Sequence, residues 1–488
     1  MEGSLSQIVS APGFLAAQED LICLHCRQPL ELQSHQELFL CRRCPVSYPM
    51  PGGIPVLLKD SSTYITSMFS QYSRHLLSES QLAKELEISA EKNPRRKNML
   101  LNWKQAMDGN SLYIKEIQDT LQKSADINQL ASLLLQPSEI SYATGFDYLR
   151  RDWCWLPEGE QEIEAIEQNI ESQIARYAPD FDNVLIIGAG AGRVAWDMRK
   201  QFSRVFAMDK SFLMAHQFHR LFKEDIRFFE INTKNLMHNG DGIRMHRASL
   251  LPPWESEQIL PEMDTVNYFV GDALSVPIRD HSLSCILSVY FTDLVPLRSY
   301  LGEIKRLLKP GGLFIHFGPL DYHFENLSDR LSANEVRAEF SAAGFSWGTE
   351  KEVISTHLKS SVSMVYKTYK NWMFSVNRKP DTDYSAGLIE SSVIRLKREV
   401  LYETKGSITV DTELLKEVNI ALPAGDTYQG ADSVLDILRL VDGQKTISEV
   451  VDMLATEYDL SSQSSRREVV DIIRSLIDKE IIQIIPSC

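Results

Sequence analysis

Long apolar runs are missing from this 488-residue sequence. Stretches such as Val184 to Ile187 fall far short of the roughly 20 residues that cross a bilayer as a helix, so no membrane span is expected. The opening segment MEGSLSQIVSAPGFLAAQED lacks both a basic leader and a long apolar core. It therefore reads as no secretory signal, and the cytoplasm is the expected compartment. Positive charge is scarce as well: 51 Lys and Arg stand against 66 Asp and Glu, a formal net charge of −15. Phosphate backbones require clustered positive charge, so nucleic acid is not an expected partner. There is no internal repeat and no low-complexity tract. What is present is an ordinary globular composition, 43% hydrophobic and 24% charged, which excludes bulk disorder. The length alone suggests about three domains.

Cysteine is also sparse, with seven residues, and four of them form one cluster. Cys23-x2-Cys26 and Cys41-x2-Cys44 are paired knuckles, a pattern that in a reducing compartment reads as a zinc site rather than a disulfide frame. Two chelating pairs complete a closed tetrahedron without an open position, so the ion's role is structural. The bland alternative is four unmetallated core thiols. Cys154, Cys285 and Cys488 stand alone.

The pattern divides the chain. Residues 1–60 read as a zinc ribbon ending in the strand-like run Ile54 to Leu58. Residues 61–180 are polar and helical, with apolar positions three and four apart, as in Ile114, Ile117, Leu121 and Ile163, Ile166, Ile170, Ile174. From 181 to 380 short β-rich runs alternate with helices: Val184 to Ile187, Val205 to Met208, Cys285 to Tyr290, and Leu313 to Phe317 after the turn Lys309-Pro310-Gly311-Gly312. This alternation predicts an α/β, doubly wound, mostly parallel sheet. Residues 381–392 read as a linker. Residues 393–488 read as a small domain with helices around Val434, around Ile447 and around Val469, closed by a strand from Ile481 to Ile485, in a winged-helix-like arrangement.

The first buried strand runs into Gly188-Ala189-Gly190-Ala191-Gly192-Arg193. Such glycines let the backbone turn tightly and approach a ligand at a helix start. The dinucleotide fingerprint G-x-G-x-x-G requires glycine where Arg193 stands, which weighs against a nicotinamide cofactor. Asp209 closes the second strand about twenty residues on, where a carboxylate accepts ribose hydroxyls. Asp272, in Gly271-Asp272-Ala273, lies where an adenine amino group would be held. With the Lys-Pro-Gly-Gly turn, these features look like a class I S-adenosylmethionine-dependent methyltransferase core of Rossmann-like type.

Three further strings sharpen the resemblance. Gly318-Pro319-Leu320-Asp321-Tyr322-His323-Phe324 resembles the G-P-L-x-Y-H-F signature of the carnosine N-methyltransferase family. Leu149-Arg150-Arg151-Asp152-Trp153 looks like its R-D-W segment, and Gly188 to Trp196 like its G-A-G-x-G-R-x-A-W loop. The similarity covers about residues 140 to 380. It implies methyl transfer from S-adenosylmethionine to an imidazole ring nitrogen of a histidine compound. The matching cofactor positions are Arg151, Gly190, Arg193, Asp209, Asp272 and Val289, with Gly188 and Gly192 in the same loop. Tyr148 stands where the family has a glutamine, and Ala273 replaces an aromatic residue. In the substrate pocket the resemblance implies Asp293 and His323 as catalytic groups, with Tyr322 and Tyr369 nearby. Two further family tyrosines appear here as His357 and Lys367, a changed wall that points to an imidazole substrate other than carnosine. Asp293 could instead cap a helix near Pro296, and Tyr366 and Tyr369 also fit one face of a helix.

The run Leu438 to Ile447 followed by two helices resembles PqqD-like domains, which implies a grip on peptides. Winged helices also bind DNA, but residues 431–485 carry six basic and eleven acidic side chains, which disfavours it. Three readings follow: an imidazole N-methyltransferase acting on a small histidine derivative, such as a histidine dipeptide or an ovothiol-type thiohistidine; a methyltransferase acting on histidine in a ribosomal peptide held by the C-terminal domain; and a non-catalytic binding module. The intact loop, Asp209, Asp293 and His323 speak against the last.

Overall fold

The computed structural model describes residues 18–126, 142–177, 180–254, 266–379, 392–397, 399–408, 413–421, 427–430, 433–458, 463–479 and 481–485. The opening segment, the expected linker apart from Ser392, and Cys488 lie outside them. The chain divides into two units, 1–379 and 380–488.

The first unit begins with an antiparallel meander, β1 (Glu31–Gln33), β2 (Leu38–Leu40) and β3 (Ser47–Pro49). Four helices follow: α1 (Ser61–Lys92), α2 (Lys97–Gln122), α3 (Tyr142–Trp153) and α4 (Pro157–Tyr177). The α1 helix starts where the Asp60 carboxylate accepts the Thr63 N–H, satisfying one of the donors that a helix start leaves open. In α4 the repeat of Ile163, Ile166, Ile170 and Ile174 faces the core, all four being buried.

The strands of the central sheet are β4 (Asn183–Ile187), β5 (Arg204–Asp209), β8 (Val266–Val270), β9 (Leu283–Val289), β10 (Leu308–Gly318), β11 (Phe345–His357) and β12 (Lys367–Arg378). Their order is β11-β12-β10-β9-β4-β5-β8. Neighbours from β10 to β8 pair in parallel, and β12 runs antiparallel to both β10 and β11. Helices α5 (Arg193–Met198), α6 (Phe212–Leu221), α7 (Leu297–Leu307) and α8 (Ala333–Ala342) complete the connections. The β4, β5, β8 and β9 strands are almost wholly buried, as expected of parallel strands covered on both faces. The connection order reverses at β4, between β5 and β9, and such a switch point opens a crevice at the C-terminal strand ends.

A two-stranded excursion, β6 (Ile226–Ile231) with β7 (Ile243–Ala248), lies against α2. The Asn110 amide meets it like a strand partner, donating to Phe229 O and accepting the Phe229 N–H, both at 2.8 Å. The Lys309 to Gly312 turn falls inside β10, where the register with β9 shifts between Leu308 and Leu313.

The run Ile54 to Leu58 serves ribbon and sheet together: the Val56 N–H donates to Pro49 O at 3.0 Å, while Val56 makes a parallel bridge to Val270, the Val270 N–H donates to Pro55 O and the Leu57 N–H to Val270 O, both at 2.8 Å. The reason is that β8 is the sheet edge, whose unpaired backbone groups need a partner. Tyr369 lies on the strand β12, not on a helix. The ribbon and the sheet also share one core, in which Leu24, Phe39, Tyr48, Met50 and Leu57 join Phe206, Met208, Phe269 and Ile278.

The second unit holds β13 (Val393–Leu396), β17 (Asp442–Thr446) and β18 (Ile482–Ile484) in one sheet, with α9 (Ser433–Leu440), α10 (Ile447–Glu457) and α11 (Gln463–Asp478). A second sheet of β14 (Tyr402–Ile408), β15 (Glu413–Ala421) and β16 (Thr427–Gly430) is an addition that the helical pattern did not announce. Among the described residues no helix is long and apolar enough to cross a membrane.

Because Phe39 is fully buried in the core shared by ribbon and sheet, Phe39→Ala is expected to cost about 3–5 kcal/mol. The loss should appear as a shift of the whole first unit in urea unfolding of the full chain followed by tryptophan fluorescence. A ribbon that unfolds separately and leaves the main transition in place would contradict the shared core.

Candidate active site

A cavity of about 400 Å³ sits at the C-terminal ends of β4, β5, β8 and β9, within the size range of small-molecule sites. Its wall is built by Gly188, Ala189 and Gly190 after β4, Asp209 to Ser211 after β5, Gly271 to Leu274 after β8, Val289 to Phe291 after β9, and Tyr148, Arg151 and Asp152 from α3. Gly190 has φ +56, and a Cβ there would meet only Tyr148, at 3.9 Å, so a side chain would occupy the cavity itself. Gly192 serves packing instead: a Cβ would lie 2.3 Å from the Phe218 ring.

Two carboxylates stand at adjacent strand ends. Asp209 accepts the Gly190 N–H at 3.0 Å on one oxygen and the Ser211 N–H at 2.8 Å on the other. Burial raises its pKa, against the lowering effect of those backbone donors. Asp272 accepts the Leu274 N–H at 3.0 Å and meets Lys210 Nζ at 3.1 Å across the mouth. The R-D-W segment fixes the glycine loop from behind, since the Trp153 indole donates to Ala191 O at 2.7 Å.

Of the expected cofactor positions, Tyr148, Arg151, Gly188, Gly190, Asp209, Asp272, Ala273 and Val289 line the cavity, whereas Gly192 and Arg193 do not. Arg193 is turned away because its guanidinium is spent elsewhere. It binds Asp197 at 2.6 Å, Glu160 at 3.0 Å and Asp152 O at 2.8 Å, and lies 4.1 Å from the Trp155 ring centroid.

Beside the cavity lies an aromatic cluster that joins α3, β9 and the β11–β12 hairpin. The His357 ring centroid is 4.4 Å from Tyr290, 5.3 Å from Tyr369 and 6.1 Å from Tyr148. His357 Nδ1 is 3.0 Å from a Glu162 oxygen that also accepts from Arg151 at 3.2 Å, and the second Glu162 oxygen accepts the Leu358 N–H at 2.8 Å. Burial alone would raise the Glu162 pKa, but Arg151 and His357 outweigh it and hold the carboxyl below its usual value. Arg150 fastens the same hairpin end, donating to Leu358 O at 2.9 Å and Lys359 O at 2.7 Å. Lys367, paired with His357 across the same end of the hairpin, is exposed.

Asp293 lies between the cavity residues Phe291 and Leu294. It does not cap α7, whose N-cap is Pro296 with no side-chain bond. Its side chain is 8% exposed, and His323 Nε2, on a 56% exposed side chain, is 3.9 Å away. The His323 N–H also donates to Asp293 O at 2.9 Å, tying the two chain segments together. Asp293 Oδ1 has no hydrogen-bond partner among the described residues. Burial pushes its pKa up to about 6, opposed by its own backbone N–H and by His323. Tyr322 spends its hydroxyl on Leu331 O at 2.6 Å, so it anchors the loop that carries His323.

At the ribbon, neighbouring sulfurs of Cys23, Cys26, Cys41 and Cys44 stand 3.4 to 3.6 Å apart, and all four lie within 4.8 Å of one another. A tetrahedron with metal–sulfur bonds of about 2.3 Å has edges near 3.8 Å, so the set fits a zinc ion.

Sequence reasoning missed Asp152, Glu162, Lys210 and Leu274. Glu162 had a signal: it sits four residues before Ile166, a charge inside an apolar helical stripe. Leu274 carried none.

Residues 141–380 match the family described as carnosine N-methyltransferase, and residues 418–482 match coenzyme PQQ synthesis protein D (PqqD). Carnosine N-methyltransferase of Mus musculus is 31% identical over 270 residues, 52% of this chain and 64% of that protein. The Dictyostelium discoideum protein of the same name is 25% identical over 362 residues, 64% of this chain and 74% of its own length. The chain thus spans under two thirds of the mouse relative. A solved S-adenosylmethionine-dependent methyltransferase of Aquifex aeolicus is 16% identical, with a TM-score of 0.27, covering 43% of this chain and 88% of that one. Residues 141–380 are therefore similar to the carnosine N-methyltransferase family and residues 418–482 to PqqD, and the first of these segments contains the doubly wound sheet.

Proposed function

We propose that the chain is an S-adenosylmethionine-dependent N-methyltransferase acting on an imidazole ring nitrogen of a small histidine derivative, a histidine dipeptide or a thiohistidine. The observation that carries this reading is Asp293: a buried carboxylate with an unpartnered oxygen, set beside the cavity and 3.9 Å from His323. Such an oxygen fits the N–H of an incoming ring.

The residues lining the cavity fit the cofactor. Gly190 leaves open space, Asp209 and Asp272 offer hydroxyl and amino acceptors, and Ala273, Leu274 and Val289 offer apolar walls. The bound cofactor supplies an electrophilic methyl carbon. The chain's part is alignment, worth up to about 7–11 kcal/mol in well-oriented pairs. Asp293 would accept the N–H of one ring nitrogen and so leave the lone pair of the other free as the nucleophile. Methyl transfer would leave the ring as an imidazolium and the cofactor as its neutral thioether. Asp293 then takes the ring proton, and His323, half in solvent, passes it on. Tyr290, Tyr148, His357 and Tyr369 give the ring an aromatic slot that favours its cationic form. The four cysteines hold a structural zinc.

The PqqD match supports a second reading, in which the histidine belongs to a ribosomal peptide held by the C-terminal unit. Labelled methyl transfer to free histidine, histidine dipeptides and thiohistidines separates the two. Labelling of a small compound that is lost in His323→Ala upholds the first, and no labelling of any despite cofactor binding favours the peptide.

Asp293→Asn should lower turnover about a hundredfold or more while leaving cofactor affinity unchanged, and unchanged turnover would refute the assignment. Parent turnover should fall as pH drops through about 6, where Asp293 takes up its proton. Its folded pKa lies above the ordinary 3.8, so folding favours the protonated form. The stability this gives is complete below about 3.8 and is lost as pH rises through about 6. The Asn variant should therefore be no less stable than the parent at pH 7, which thermal melts would check. Metal analysis should find about one zinc per chain, reduced in Cys41→Ser.

A further inference from the structure

The carboxylates expected to hold the cofactor lie within residues 141–380, yet both are set in place by backbone and side chains from residues 55–64, outside that segment. The Tyr64 hydroxyl, in the first turn of α1, donates to Lys210 O at 2.5 Å and accepts the Phe212 N–H at 3.0 Å. These two groups bracket Ser211, whose N–H holds Asp209 Oδ1 at 2.8 Å. One phenol thereby pins both sides of the turn that aims Asp209 into the cavity. On the neighbouring strand, Pro55 O and the Leu57 N–H pair with Val270, two residues before Asp272. Ser61 joins these two clamps, donating to Val56 O at 2.7 Å and Leu58 O at 3.0 Å, so the ribbon's exit and the start of α1 form one unit. The Gly271 N–H, donating to Asp209 O at 3.0 Å, links the two carboxylate-bearing strand ends.

We propose that Tyr64 is a positioning residue for the cofactor, acting through the Asp209 turn, so that the region before the family-matched segment is an integral part of the cofactor site. The inference rests on the methyltransferase reading above. It differs from a folding role in what it predicts: loss of the hydroxyl should loosen the turn and weaken cofactor binding while the imidazole substrate's KM stays the same.

The test is calorimetric titration of the full chain with S-adenosylhomocysteine, comparing the parent, Tyr64→Phe, Asp209→Asn and the double variant. The expected result is binding five- to tenfold weaker in Tyr64→Phe, the loss of about one positioned hydrogen bond, with an unchanged melting temperature. In the Asp209→Asn background the same substitution should have little further effect, since its route to the ligand is already cut. Parent-like affinity in Tyr64→Phe, or a full additive loss in the double variant, would overturn the proposal while leaving the methyltransferase reading intact. Absence of binding by the parent chain would overturn the reading and the proposal together.

Discussion

The edge strand β8 imposes the constraint on which the first unit is built. An exposed parallel edge leaves backbone N–H and C=O groups unsatisfied and invites association with other chains. Here Pro55 and Leu57 satisfy Val270, and the ribbon they leave lays Leu24, Phe39 and Tyr48 into the same core as Phe206 and Phe269. Asp20 adds a polar seam, with its carboxylate between Arg204 and Arg279. The meander that carries the four cysteines is too small for a core of its own, and it shares the core that covers the sheet beside the cavity.

Buried charge does comparable work on the opposite side of the cavity. The path from Arg151 through Glu162 to His357 joins a wall of the cavity to the aromatic cluster on the β11–β12 hairpin. Buried ion pairs contribute little net stability, because desolvation consumes much of the attraction, but they penalise every arrangement in which one partner is left alone. Glu162 accepts from Arg151, His357 and the Leu358 N–H, and so admits few alternatives. The hairpin's position relative to α3 and α4 is thus specified by polar geometry, and Arg150 repeats the device on the neighbouring carbonyls.

Asp293 is the contrasting case, a carboxylate left with one oxygen unsatisfied in a nearly closed place. A buried carboxylate oxygen without a donor is costly to the free protein. The imbalance fits a place kept for a ligand donor, as in the proposed reading, with the half-exposed His323 3.9 Å away.

The glycine loop, Asp209, Asp272 and the alternation of strands and helices were legible because they are local: a tight turn needs glycine, and a buried parallel strand needs an unbroken apolar run. The cysteine knuckles were legible for the same reason, since chelation fixes their spacing. Arg193 shows the limit, because the sequence placed it in a cofactor loop and only the packing of α4 turned its guanidinium onto Glu160. The run Ile54 to Leu58 was legible as strand-like, but composition does not say which sheet edge such a run will join. The residue types at the site were thus determined by sequence. Tertiary structure alone decided which of them meet, because the contacts Tyr64–Lys210, Glu162–His357 and Asp293–His323 link segments far apart in the chain or tied across a loop, and their pairing follows from burial geometry rather than from any local pattern.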